Sequence, residues 1–129
     1  MKLTFTWEKI AGGITPFCES SDQNEDGISL LACLLMDDGG RNYIDTLSWI
    51  DNGILKIDSV VCGDLSKSDW DRDAWGAKIM KNEVEIYSLH DEDYKELITT
   101  SEFKAALTAW IDFINSNPDM GIIKEISLN

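Results

Sequence analysis

The chain has 129 residues, 24 of them Asp or Glu against 11 Lys or Arg, for a formal net charge of -13. That length suits one domain with its own hydrophobic core, and an apolar fraction of 43% argues against wholesale disorder. A surface this negative repels nucleic-acid phosphates and anionic lipid, so neither is an expected direct ligand, whereas encounter with a basic partner is accelerated.

Leu3, Phe5 and Trp7 alternate with Lys2, Thr4, Thr6 and Glu8, the period of a half-buried strand. This alternation is unlike the continuous apolar stretch of a signal peptide, and no run approaches the ~18 to 20 apolar residues of a membrane span. A soluble, cytoplasmic protein is the expectation. "AGGITPF" then breaks the strand, and polar residues run to Gly27. Within them, "SDQNEDG" sets Asp22, Asn24 and Asp26 at alternate positions before Gly27, as a calcium loop begins. Counted from Asp22, the twelfth position of such a loop must supply a bidentate carboxylate, and Cys33 stands there. The stretch therefore reads as a solvated acidic turn, with no metal expected.

"ISLLACLLM", residues 28 to 36, is short and apolar on both faces. A central buried strand is favoured, with a helix as the alternative because Leu, Ala and Met favour one. After "DDGG", Tyr43, Leu47, Ile50, Ile54, Ile57 and Val61 recur at the spacing of one helical face. Asn52-Gly53 is a hairpin signal inside that pattern. A helix is predicted over 42 to 52, and residues 54 to 62 stay open between helix and strand. "CGDLSKSDWDRD" is predicted as a loop.

"AWGAKIM" and "EVEIYSL" flank Lys81-Asn82 as a hairpin, with Val84 and Ile86 on one face and Glu83, Glu85 and Tyr87 on the other. "HDED" is expected to be a solvated turn leading to the next helix. Thr99 and Glu102 have the spacing of a capping box. Phe103, Ala106, Leu107, Trp110, Phe113 and Ile114 then form one apolar stripe, so a helix is predicted over 101 to 116, closed by Asn117-Pro118. "GIIKEISL" reads as a last strand. The sum is a single α+β domain over residues 1 to 129, an antiparallel sheet of about four to five strands packed by two or more helices.

Cys18, Cys33 and Cys62 match neither a disulfide framework nor zinc spacing, and each is expected to be a small buried hydrophobe. No nucleotide-binding, serine-hydrolase or zinc-protease motif occurs, so no cofactor and no catalytic residue are assigned. His90, the only histidine, stands beside Asp91, Glu92 and Asp93. A small acidic hydrolase or ligand-binding domain using that cluster is the alternative reading. The favoured one is an interface. In "DLSKSDWDRDAW", Trp70 would supply buried area while Asp69, Asp71 and Asp73 match a cationic side chain opposite. The competing role for a tryptophan is the core, expected here of Trp75 because it begins a strand. Asp91, Glu92 and Asp93 form a second candidate patch.

"AWGAKIMKNEVEIYSL" and "ITTSEFKAALTAWIDFI" carry a Trp-Gly hairpin, a V-x-I-Y strand and a capped helix with F-x-x-x-L-x-x-W-x-x-F. Over roughly residues 74 to 114, about a third of the chain, this resembles the C-terminal part of small immunity proteins from bacterial polymorphic-toxin and contact-dependent growth inhibition systems. The resemblance implies a non-enzymatic toxin inhibitor that binds a cognate toxin domain 1:1 in the cytoplasm. An acidic inhibitor of this kind would cover the active site or substrate surface of a basic toxin, plausibly a nuclease. It carries over no position-specific binding residue.

Overall fold

In the computed structural model, which describes residues 1–128, the strands divide into two antiparallel sheets. The elements run in chain order as β1 (Lys2–Ile10), β2 (Gly13–Ser20), α1 (Leu30–Leu35), a 3-10 turn (Tyr43–Thr46) and α2 (Leu47–Val61). They continue as β3 (Lys67–Asp71), β4 (Trp75–Met80), β5 (Glu83–Ser88), β6 (Asp91–Thr99), α3 (Thr100–Ile114) and β7 (Ile123–Ser127). One sheet has the order β2-β1-β7 and the other β3-β4-β5-β6. The α+β class stands, while the strands expected in one sheet are shared between two.

α3 joins them. Its stripe is buried from Phe103 to Ile114, and the two ends of that stripe meet different sheets. Trp110 packs edge-on to Phe5 of β1 at 5.2 Å, and Phe113 stacks on Trp7 at 4.9 Å. Phe103 meets the Trp70 ring of β3 at 6.0 Å. Thr99 caps α3 by accepting the Glu102 N–H at 3.2 Å. The Glu102 carboxylate takes the Thr99 hydroxyl at 2.6 Å, so the reciprocal half of a capping box goes to a side chain.

Packing corrects four local readings and closes the one left open over residues 54 to 62. "LLACLL" is a helix, not a strand: Ser29 caps it by accepting the Ala32 N–H, and it packs against β2 on one side and β4 to β6 on the other. A helix held between two layers is apolar all round. α2 runs unbroken through Gly53 to Val61. A Cβ at Gly53 would lie 2.6 Å from Cε2 of Trp70, so this glycine makes room for a ring rather than a turn. "GITPFCES" is a strand despite Pro16, which is tolerated because β2 lies at a sheet edge. β3 and β6 occupy stretches expected to be a loop and a turn.

The "SDQNEDG" oxygens are engaged in holding their own loop. Asn24 Oδ1 accepts from the N–H groups of Asp26 and Ile28, and Gly27 takes φ +75. The Asn24 amide donates to the Tyr94 hydroxyl, which donates to Asp26, tying the loop to β6. Among the cysteines, Cys18 is buried and its thiol is pushed up to about 12, first by burial and then by Glu19 and Cys33. Cys62 is exposed, against expectation. Among the described residues, no helix is long and apolar enough to cross a membrane.

Candidate functional site

Strand alternation gives β3 two characters. Trp70 turns inward, and Asp69 and Asp71 turn outward. Pairing extends the outward set across the whole sheet. One row reads Asp69, Lys78, Glu85, Leu97 and the next reads Asp71, Gly76, Tyr87, Lys95.

Tyr87 is the centre of this face. It is only 7% exposed, because its ring lies flat over Gly76. A Cβ added at residue 76 would meet Cζ at 3.0 Å, the hydroxyl at 3.1 Å and Asp71 Cβ at 3.2 Å. The glycine is thus what lets the phenol reach Asp71. Lys78 Nζ sits 5.1 Å from the ring centroid, a cation–π contact. Burial raises the phenol pKa, and Asp69, Asp71, Glu92 and Glu85, in that order, push it further the same way. A phenolate there would join four carboxylates, so the hydroxyl stays protonated and available as a donor.

Members of two patches far apart in sequence therefore face the same phenol. Asp69 and Asp71 come from β3, and Glu92 comes from the start of β6, where the register shifts between Tyr87 and Ser88. Asp91 and Asp93 are exposed beside Glu92, and Asp91 accepts the Asp93 N–H at 3.1 Å.

Two other candidates are placed elsewhere. Trp70 is 2% exposed and belongs to the core. It stacks on Trp49 at 4.2 Å and donates its indole N–H to the Trp49 carbonyl at 3.0 Å. Trp75, expected in the core, is half-buried and packs against it. Inward parity falls on residue 70 once β3 is a strand, so Trp70 joins Trp75 on the core side. Asp73 is exposed in the turn after β3, on a separate cleft of about 280 Å³ shared with Asp37, Asp38 and Cys33. One oxygen of Asp37 accepts the N–H groups of Asp73, Ala74 and Trp75 at 2.9 to 3.1 Å. That carboxylate organises the turn.

The acidic face is held along its β3 edge. Lys56 of α2 donates to the Asp69 carbonyl at 2.6 Å, and the Trp49 indole to the Asp71 carbonyl at 2.7 Å. The Arg72 guanidinium lies 5.2 Å from the Trp49 ring and donates to the Asp38 carbonyl at 3.3 Å. Its charge is thus drawn toward the "DDGG" loop. His90 is exposed at the β5–β6 turn, its backbone N–H on Ser88 Oγ, and it lines none of the clefts described here.

Tyr87 and Glu85 share one face in the sequence pattern, yet neither carries an interface signal of its own there. The available signal was Gly76, since a glycine inside a strand marks a close approach. Comparison with protein-family models, curated proteins and solved structures finds no match.

Proposed function

We propose that this chain is a non-enzymatic immunity-type protein that binds a basic toxin domain 1:1 in the cytoplasm and covers its active site or substrate surface. The observation that carries the reading is the convergence of Asp69, Asp71, Glu85 and Glu92 around Tyr87 on one sheet face. Strand pairing sets the spacing of Asp69 and Asp71, which present negative charge to a cleft that takes a phosphate backbone, while Glu85 is paired with Lys95 at 3.5 Å. The -13 charge of the chain steers a basic partner toward that face. Tyr87 adds a neutral donor beside the carboxylates, and the exposed Asp91 and Asp93 extend the negative rim.

The test is calorimetric titration against the basic domain encoded beside this chain. Asp69→Lys with Asp71→Lys is expected to weaken binding by roughly 100-fold or more, as for truncated charge pairs at an interface. Asp51→Lys with Asp112→Lys, an equal charge change on the helices, is expected to cost less than about 3-fold because rim and remote charges act mainly through steering. Equal losses from both pairs, or the absence of a basic toxin domain beside the gene, would overturn the reading.

A further inference from the structure

We infer that the free edge of β2 is a second binding site, a groove that accepts an extended, basic segment of a partner as an added strand. The inference does not rest on the acidic face. The Ser21 N–H bonds the Lys2 carbonyl at 2.9 Å. This fixes the parity of the β1–β2 ladder, so Thr15, Phe17 and Glu19 bond to β1. Pro16, Cys18 and Ser20 therefore turn their backbone groups to the free edge. The Cys18 N–H is seen doing so: it reaches Met36 Sδ at 3.3 Å. A thioether is a weak acceptor, so the Cys18 N–H, one of two donors that these three residues offer because Pro16 has none, is held by a group that a carbonyl would displace.

Beside that edge lies a groove of about 360 Å³, floored by Phe17, Ile28, Ala32, Cys33 and Met36. It shares Cys33 and Met36 with the 280 Å³ cleft that reaches Asp38 and Asp73. An edge strand beside an apolar floor is the arrangement used in strand addition, where backbone bonds give affinity and alternate side chains give selectivity. Glu19 stands on one rim and Asp38 and Asp73 at the far end. The occupant that fits has small apolar residues alternating with Lys or Arg, one set on the floor and the other toward the carboxylates. A second copy of this chain would bring another -13 charge to the same place and is disfavoured by repulsion.

The probe is acetyl-(Lys-Val)3-amide, with acetyl-(Glu-Val)3-amide as the charge control, followed on the whole chain by amide shifts and hydrogen exchange. The basic peptide is expected to shift Cys18 and Ser20 and to slow exchange of the Cys18 amide by roughly ten-fold. The acidic peptide is expected to leave both unchanged. Met36→Leu, which keeps the floor and removes the sulfur acceptor, should retain binding. Glu19→Lys, on an exposed rim, should weaken it several-fold, and Met36→Arg should weaken it by about ten-fold or more. Shifts centred on Asp69, Asp71 and Glu92 instead, no protection at Cys18, or equal binding of both peptides would overturn the inference.

Discussion

β2 and β3 each end a sheet, yet their free edges are finished in opposite ways. The outward carbonyls of β3 at Asp69 and Asp71 are taken by Lys56 and Trp49 from α2. The outward N–H of Cys18 in β2 is left to the sulfur of Met36. A sealed edge resists strand addition and fixes the side chains beside it. The sealed edge is therefore the one that carries Asp69 and Asp71, and the lightly held edge is the one that borders a groove. Rigidity and access are separated within one small chain.

The largest test of this contrast is Gly53→Ala. On an exposed helix, alanine would stabilise by about 1 kcal/mol. Here the new Cβ strikes the Trp70 ring, so a loss of roughly 1 to 3 kcal/mol is expected in urea unfolding. A gain in stability would break the account of how α2 seats β3. Next comes Lys56→Met, which frees the Asp69 carbonyl while keeping the aliphatic stem. About 0.5 to 1.5 kcal/mol should be lost, with faster amide exchange confined to β3 and β4. Faster exchange in β2 instead would contradict the contrast.

The smallest stability effect belongs to Asp69→Asn with Asp71→Asn, within about 0.5 kcal/mol at neutral pH. The same change should lower the Tyr87 pKa toward its ordinary value in an ultraviolet titration, leaving the part due to burial, Glu92 and Glu85. The sign follows from linkage. The folded chain holds the phenol proton more tightly than the unfolded chain, so this contribution is complete below the ordinary tyrosine range. It declines as pH rises through the raised value, and the double variant should lose less stability across that alkaline window. An unchanged Tyr87 titration would separate the carboxylates from the phenol and dissolve the site.

The parts legible in the sequence are those where local signals agree. In α3 the Thr99 cap, the apolar stripe and Asn117-Pro118 point the same way, and β1 alternates cleanly. α2 is legible only to Asn52, because the reason for Gly53 is a ring 17 residues away in the sequence. β6 looked like a charged turn since Glu96 occupies an inward position. Its carboxylate accepts the N–H groups of Leu31 and Leu30 at 3.2 and 3.4 Å, and burial, despite those bonds, raises its pKa. For the site, the acidic residues were visible one by one. Their meeting around Tyr87 was not, since it depends on pairing from β3 to β6 and on the register shift beside Ser88.

The central claim is the proposal that the β3–β6 face captures a basic partner, and its most direct test is the association rate with a basic domain encoded beside this chain, measured by stopped flow across ionic strength. The account predicts fast association that slows steeply with salt. Asp69→Lys with Asp71→Lys should also abolish tight binding, while Asp51→Lys with Asp112→Lys leaves it in place. A rate insensitive to salt, or tight binding that survives reversal of Asp69 and Asp71, would contradict it.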